Sequence, residues 1–171
     1  MKSDASRAGF TLLEMLIVIV ILGILAMIII PQITSSSDEA RLSTLQTNLG
    51  AVRSAVEIYY AQHGSAYPGD AVPTTKPADV VDLATAFAGQ LTRYTDISGN
   101  IQNSKDATFK FGPYIKGGSL PMNPFNQNRD ILIDNATVDI TDRTSDGTTG
   151  WKFFTKTGVF IANDSAAHAG L

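Results

Sequence analysis

The feature that most constrains this chain is a long apolar run near its N-terminus. Met15 to Ile30 are sixteen consecutive residues without a polar side chain, and the mostly apolar stretch counted from Phe10 contains twenty-one residues. A helix of about 20 apolar residues is long enough to cross a lipid bilayer. The sequence therefore predicts a transmembrane helix over residues 10–33.

One carboxylate, Glu14, stands directly before this run. An ionised group at the centre of a membrane helix costs about 2.5–3.5 kcal/mol on insertion scales, whereas each leucine or isoleucine returns only about 0.3–0.6 kcal/mol. An acid at this position needs a physical reason, so Glu14 is a candidate functional residue.

Composition limits what the rest of the chain can be. With 171 residues and 44% hydrophobic residues, many of them in the first 33 positions, the chain suits one membrane helix and one modest globular domain. The net charge of −3 and the scattered lysines and arginines argue against a nucleic-acid partner. No cysteine is present, so neither a disulfide framework nor a cysteine nucleophile is available.

The flanks of the apolar run bear on orientation and processing. Lys2 and Arg7 lie on its N-terminal side, which the positive-inside rule assigns to the cytoplasm. A cleaved secretory signal has its small-residue site after the apolar run, but here the small residue, Gly9, precedes it. Cleavage near Gly9 would leave the hydrophobic helix in the mature protein.

The segment from Gly9 to Glu14, Gly-Phe-Thr-Leu-Leu-Glu, follows a short polar leader with a basic residue and precedes the apolar run. It resembles the class III signal of type IV pilins and type II secretion pseudopilins, and Gly23 and Pro31 fall where that family has its helix-loosening glycine and proline. The resemblance implies a leader peptide at residues 1–9 and cleavage between Gly9 and Phe10. It also implies N-methylation of the new Phe10 amine and assembly into a helical filament.

The same resemblance implies the partners and location of the chain. The expected partners are further copies of the chain, a prepilin peptidase, an inner-membrane assembly platform, minor pilins or pseudopilins, and membrane lipid. The expected location is the bacterial inner membrane, with a cytoplasmic N-terminus and an extracytoplasmic head. Within the filament, Glu14 is expected to pair with the Phe10 amine of a neighbouring subunit, and the helix between Gly23 and Pro31 is expected to melt. The alternatives are a Glu14 that reaches the lipid headgroups or pairs with its own N-terminus, and an ordinary transmembrane helix at Gly23 and Pro31.

Residues 34–62 are expected to form the amphipathic half of the same helix, and residues 63–171 the head that this half completes. Apolar residues recur at a spacing of three and four, which makes one stripe on a helix. They are Leu42, Leu45, Leu49, Val52, Val56 and Tyr59. A helix stop is expected near His63 and Gly64.

The residue pattern of the head predicts a short helix followed by strands. Residues 79–93 predict a second amphipathic helix, and Lys156 to Gly158 predict a hairpin turn. Short β-branched and aromatic runs predict strands at residues 108–111, 130–133, 137–141, 150–155 and 158–162. The predicted fold class is α+β and pilin-like, with a long N-terminal helix packed on a small antiparallel sheet.

Two segments of the head indicate which branch of the family the chain resembles. Residues 112–116 and 120–125 are similar to the Gly-Pro-Tyr-Leu-Lys and Leu-Pro-x-Asp-Pro-Trp-Gly segments of major pseudopilins, although Asn123 replaces the aspartate and Phe125 the tryptophan. The absence of a C-terminal cysteine pair agrees with a pseudopilin rather than an adhesive pilin.

Major pseudopilins hold a calcium ion near the C-terminus, and the nearest counterpart here comprises Asp139, Asp142 and Asp146. Carboxylates are ligands that calcium prefers. The spacing departs from the family loop, Arg143 adds a positive charge, and aspartate with glycine also forms ordinary turns. The sequence favours an ordinary turn and leaves calcium as the alternative.

No enzymatic signature surrounds the two histidines, His63 and His168, which are expected to be solvated. The chain is therefore interpreted as a non-enzymatic filament subunit, in first place a major pseudopilin of type II secretion. One alternative is a type IV pilin serving adhesion, motility or DNA uptake. An alternative of another class is an uncleaved bitopic inner-membrane protein with a binding or sensor domain.

Overall fold

A single long helix dominates the fold. The computed structural model describes residues 10–171, without the side chains of residues 28–36. Helix α1 runs through Leu12–Gln62 as 51 consecutive helical residues. It ends next to His63, where the sequence predicts the stop. The leader, including Gly9, lies outside the described residues, as does the side chain of Pro31.

The chain divides into two compact units, residues 1–40 and residues 41–171. The second unit has its own core, built on the predicted stripe of α1. Leu45, Leu49, Val52, Val56 and Tyr59 are each at most 1% exposed, and Leu42 is half-buried. The five buried residues of the stripe pack in one cluster with Phe87, Leu91, Trp151, Phe153 and Phe160. The amphipathic pattern is thus explained by burial of one helical face.

Two short helices accompany α1. Helix α2 covers Leu83–Thr92, and helix α3 covers Ala166–Ala169. Helix α2 begins later than predicted because Asp82 is its N-cap: the Asp82 carboxylate accepts a hydrogen bond from the Thr85 amide at 2.8 Å, and the Thr85 hydroxyl accepts one from the Asp82 amide at 3.0 Å. This reciprocal capping box satisfies amides that the first turn leaves without partners.

The strands form two small sheets. Strands β1 (Tyr94–Thr95) and β2 (Ile101–Gln102) pair antiparallel. The second sheet has the order β3-β4-β5, with β3 at Ile131–Asp134, β4 at Trp151–Phe154 and β5 at Val159–Ala162. Strands β4 and β5 form the predicted antiparallel hairpin, whereas β3 pairs parallel with β4. The α+β, pilin-like fold class is confirmed.

Two of the five predicted strands are wrong in detail. Residues 137–141 contain no strand, because aspartate and threonine side chains there bind neighbouring backbone amides and form turns. In residues 108–111 only Phe111 pairs, as an isolated bridge to Thr95. Both segments are rich in β-branched and aromatic residues, but local side-chain hydrogen bonds compete with strand pairing.

Candidate functional site

The N-terminal end of α1 holds the residues that the sequence singles out, and it is built as a capping box. Glu14 Oε2 accepts hydrogen bonds from the Thr11 amide at 2.7 Å and the Thr11 hydroxyl at 2.9 Å. In return, the Thr11 hydroxyl accepts a hydrogen bond from the Glu14 amide at 3.2 Å. Thr11 is the N-cap and Glu14 the third helical residue, which is the Thr-x-x-Glu arrangement that begins many helices.

This local role of Glu14 was not predicted, although Thr11-Leu-Leu-Glu14 is a recognisable signal for it. The carboxylate is turned back towards the N-terminus of its own chain. Phe10 precedes the cap and is 78% exposed. The structure therefore places Phe10 and Glu14 within one turn of each other at the start of the helix, with Thr11 between them.

The apolar part of α1 that follows is not covered by the chain itself. Every described side chain from Phe10 to Met27 is exposed, and the large apolar ones are between 46% and 88% exposed. An apolar surface of this extent marks contact with lipid or with another protein. A Cβ built on Gly23 would meet nothing within 4 Å, so no packing in the described chain requires a glycine there.

The predicted transmembrane helix includes residues 28–33, whose side chains lie outside the described part. Among the residues that are described, no helix has a stretch both long and apolar enough to cross a membrane.

The three predicted calcium ligands each close a separate turn. Asp139 accepts hydrogen bonds from the amide and hydroxyl of Thr141 at 2.8 and 2.7 Å, and Asp142 accepts the equivalent pair from Thr144 at 2.8 and 2.6 Å. Asp146 accepts the same pair from Thr148 at 3.0 and 2.8 Å. These threonine hydrogen bonds hold the pKa of each carboxyl below its ordinary value.

This arrangement does not fit a calcium cage. Calcium takes six to eight oxygens arranged around one point. In the described part of the chain, no group of three or more histidine, aspartate or glutamate side chains could hold a metal ion. The geometry supports the turn interpretation of Asp139, Asp142 and Asp146. Calcium binding by these residues stays the alternative prediction from the sequence.

A polar cluster that the sequence did not reveal ties the segment around residue 123 to the C-terminal end. Asn123 is fully buried, and its Nδ2 donates to the Gly150 carbonyl at 2.9 Å and to Asp164 Oδ1 at 2.7 Å. Asn163, also fully buried, donates from Nδ2 to Asp146 Oδ1 at 2.7 Å and accepts a hydrogen bond from the Asp146 amide at 3.0 Å. The amide at position 123 supplies donors that an aspartate would lack.

The expectation that both histidines are solvated is wrong. His63 is 4% exposed and stacks on the ring of Tyr59 with 3.7 Å between centroids. Its Nδ1 lies 2.8 Å from the Tyr59 carbonyl and its Nε2 lies 2.9 Å from the Thr95 hydroxyl, so a neutral ring satisfies both groups. Burial lowers the pKa of His63. Its position just past a helix end gave no sign of this, because Thr95 comes from a distant strand.

His168 lies beside Ser165 and Asp164, but not as a catalytic triad. The Ser165 hydroxyl and Asp164 Oδ2 both approach the same ring nitrogen, Nδ1, at 3.0 and 2.5 Å. A proton relay needs serine at one ring nitrogen and the carboxylate at the other. The ring of His168 also packs against Phe125, with 4.1 Å between centroids, so this group is structural.

The comparisons with known proteins agree with the N-terminal geometry. Residues 4–30 match the family described as the prokaryotic N-terminal methylation motif. The chain is 28% identical over 169 residues to the type II secretion system core protein G of Vibrio cholerae, covering 95% of each chain.

Two further relatives come from the two kinds of protein that the chain is similar to, a core protein G and a fimbrial protein. The core protein G of Pseudomonas aeruginosa is 39% identical over 62 residues, which is 36% of this chain and 43% of that protein. A fimbrial protein of Neisseria meningitidis is 28% identical over 125 residues, which is 73% of this chain and 70% of that protein. No solved structure is a significant match to the chain.

Proposed function

We infer that this chain, which belongs to the pilin-like proteins and among them to the family of type II secretion core protein G, is the major pseudopilin of a type II secretion system. The observation that carries this conclusion is the N-terminal methylation motif at residues 4–30 in a chain that is similar to core protein G over 95% of its length. The function is that of a non-enzymatic structural subunit of a filament.

Processing is proposed to occur between Gly9 and Phe10. Glycine has no side chain to obstruct a peptidase at the membrane face, and Phe10 lies just before the N-cap of α1, with its side chain exposed. Cleavage there leaves helix α1 complete. The new Phe10 amine is the proposed site of methylation.

Glu14 is proposed to bind the Phe10 amine of an adjacent subunit. Both Thr11 hydrogen bonds use Oε2 of Glu14, and we assign the neighbour's amine to Oε1. The capping box supports this role, because it holds the carboxylate at the helix start, where the helix dipole favours a negative charge. At a site of low dielectric, a missing partner for either charge costs several kcal/mol.

The exposed apolar residues between Phe10 and Met27 are proposed to lie in lipid before assembly and against neighbouring helices afterwards. With Lys2 and Arg7 cytoplasmic, the head is extracytoplasmic, as a single-pass inner-membrane protein requires. The proposed partners are copies of the chain, a prepilin peptidase, the assembly platform and minor pseudopilins. Local melting between Gly23 and Pro31 during assembly remains part of this proposal.

A type IV pilin is the second candidate function, favoured by the similarity to the fimbrial protein of Neisseria meningitidis over 125 residues. Deleting the gene in cells with a type II secretion system distinguishes the two. A pseudopilin deletion retains exported proteins in the periplasm, whereas a pilin deletion removes surface pili and leaves secretion intact.

Intact-mass measurement of membrane-extracted protein tests the filament-subunit assignment. We expect the loss of residues 1–9 and the mass of one methyl group on Phe10. The matched variant is Gly9→Val, which should stay full-length in the same cells because a branched side chain occupies the cleavage position. A full-length wild-type chain in cells with an active peptidase would contradict the assignment and support the uncleaved bitopic alternative.

A further inference from the structure

The loop between β3 and β4, residues 135–150, brings several carboxylates close to the sheet. It carries Asp139, Asp142 and Asp146 with one exposed cation, Arg143, and follows Asp134, the last residue of β3. All four of these carboxylates accept hydrogen bonds that close local turns, and Asp146 also binds Asn163 just after β5. The middle of the loop still needs an attachment to the sheet. In related pseudopilins a calcium ion is expected to provide this attachment. The oxygen donors in this chain do not fit a calcium ion.

Lys152 provides a positive charge at this place. It lies in β4 between Trp151 and Phe153, which belong to the main core, so strand alternation turns Lys152 to the opposite face of the sheet. The residue is only 9% exposed. An ammonium group buried to this extent needs compensating partners, because burying an unpaired charge is costly.

The partners of Lys152 come from the loop, from the end of β3 and from β4 itself. Its Nζ donates to the Thr144 carbonyl at 3.0 Å and lies 3.8 Å from Asp134 Oδ2. It also stands 4.6 Å from the centroid of the Phe154 ring, within cation–π range. One ammonium group thus contacts the middle of the loop, the end of β3 and the outer face of β4.

The charge of Lys152 also reaches carboxylates that it does not contact. Hydrogen bonds from Thr144 are the main cause of the lowered pKa of Asp142, and the Lys152 charge lowers it further. For Asp146 the Thr148 hydrogen bonds come first, and Lys152 again adds to the effect. Both carboxylates therefore lie in the field of this ammonium group.

We propose that the Lys152 ammonium, rather than a bound metal ion, is the cation that holds residues 135–150 on the outer face of the sheet. The chemistry matches the site. An ammonium group has three donors and one charge, and it can bind a single carbonyl and a carboxylate, whereas calcium needs six to eight oxygens around one point. One loop oxygen, Ser145 Oγ, is buried without a hydrogen-bond partner among the described residues, but a single hydroxyl does not make a calcium cage.

The test uses the full-length chain in detergent micelles, where thermal unfolding is followed by the fluorescence of Trp151, the single tryptophan. The variant is Lys152→Met, which keeps an apolar stem on the sheet and removes the charge. The matched control is Lys156→Met, which removes an exposed lysine whose partner is Asp70 at 3.1 Å. Each protein is measured with a calcium chelator and with millimolar calcium, and amide hydrogen exchange of residues 135–150 is recorded.

We expect the melting temperature of the wild type to be the same with chelator and with calcium. Lys152→Met should lower it by roughly 5 °C or more and speed exchange at the turn amides of Thr144 and Asp146 at least about tenfold, with little change in Lys156→Met. A chelator-induced fall in the wild-type melting temperature would overturn the proposal, and so would unchanged loop exchange in Lys152→Met. Because these measurements concern the monomer, their outcome is independent of whether the chain assembles into filaments.

Discussion

The two halves of helix α1 have opposite relations to the rest of the protein. From Phe10 to Met27 every described side chain is exposed, although nearly all are apolar. Between Leu45 and Tyr59 the residues of the apolar stripe are buried in the core, whereas Ser54, Glu57 and Ile58 lie off the stripe and are exposed. One continuous helix therefore contains a segment that the chain leaves uncovered and a segment that it buries.

The difference follows from the arrangement of apolar residues around the helix. A stripe at a spacing of three and four can be buried by one neighbouring sheet, which is what Trp151, Phe153 and Phe160 provide. A helix that is apolar on all sides cannot bury its whole surface against one neighbour. It needs a surrounding apolar medium or several partner helices. Changes in the first segment should therefore alter assembly, and changes in the second should alter folding.

The largest expected effect on assembly is that of Glu14→Gln. Glutamine keeps the capping box with Thr11, so the helix start should survive while the charge is lost. We expect cleavage after Gly9 to be normal and the yield of sheared filaments to fall at least about tenfold, which corresponds to a loss of ~1.4 kcal/mol or more. The yield is compared with the amount of cleaved subunit in the membrane.

Thr11→Val is the matched control, because it breaks the cap and keeps the charge of Glu14. It should cost about 1 kcal/mol at the helix end and reduce filament yield less than Glu14→Gln does. If Glu14→Gln assembles normally, the charge is dispensable and the pairing with the neighbour's Phe10 is wrong.

A pair of leucine variants compares the two halves of α1 directly. Leu49 is 1% exposed and Leu16 is 50% exposed. Leu49→Ala should lower the free energy of unfolding of the head by about 2–5 kcal/mol, since it leaves a cavity in the core. Leu16→Ala should change it by less than about 0.5 kcal/mol. Denaturant unfolding in detergent, followed by Trp151 fluorescence, measures both, and similar effects would refute the division of the helix.

Asn123→Asp should destabilise the head without affecting processing at Gly9. The new carboxylate would lose the two Nδ2 donors and face Asp164, whose Oδ1 is 2.7 Å from Nδ2. We expect the free energy of unfolding to fall by about 2–3 kcal/mol. Asn126→Asp, which changes an exposed residue that donates to the Thr149 carbonyl at 2.9 Å, should cost less than about 1 kcal/mol. Equal losses in the two variants would mean that the buried amide has no special role.

The smallest expected effect is a pH dependence that belongs to the head alone. The pKa of buried His63 is lowered from the ordinary value of 6.5, so the unfolded chain binds the proton more readily than the folded one. The contribution of neutral His63 to the free energy of unfolding is complete above pH 6.5. As the pH falls below 6.5 this contribution is lost, by at most about 1.4 kcal/mol per pH unit.

Denaturant unfolding at intervals from pH 7.5 to 5 tests this effect by comparing the wild type with His63→Gln, whose amide can still bond the Tyr59 carbonyl and the Thr95 hydroxyl. The wild-type curve should fall more steeply below pH 6.5, and the two curves should run parallel above pH 7. Parallel curves over the whole range would show that His63 does not contribute.

Local pattern accounts for the parts of the fold that the sequence predicted well. The stripe on α1, the helix end at Gln62 and the β4–β5 hairpin each depend on residues within one element or one turn. The fold class follows from these elements. Predictions were weaker where side chains compete for the backbone, as at residues 137–141, and the parallel pairing of β3 with β4 has no local signal.

The sequence by itself determined the N-terminal methylation motif that includes Gly9 to Glu14, the apolar run behind it and the side of α1 that faces the core, because each is a matter of spacing along one segment. Only the tertiary structure decided the partners of Asn123, His63 and Lys152. Their hydrogen bonds join residues that are far apart in the chain. The sequence alone does not show whether a polar side chain is hydrogen-bonded to water or to a buried group of the protein. The physical reason is that burial and pairing depend on which segments meet, and that is settled by packing the whole chain.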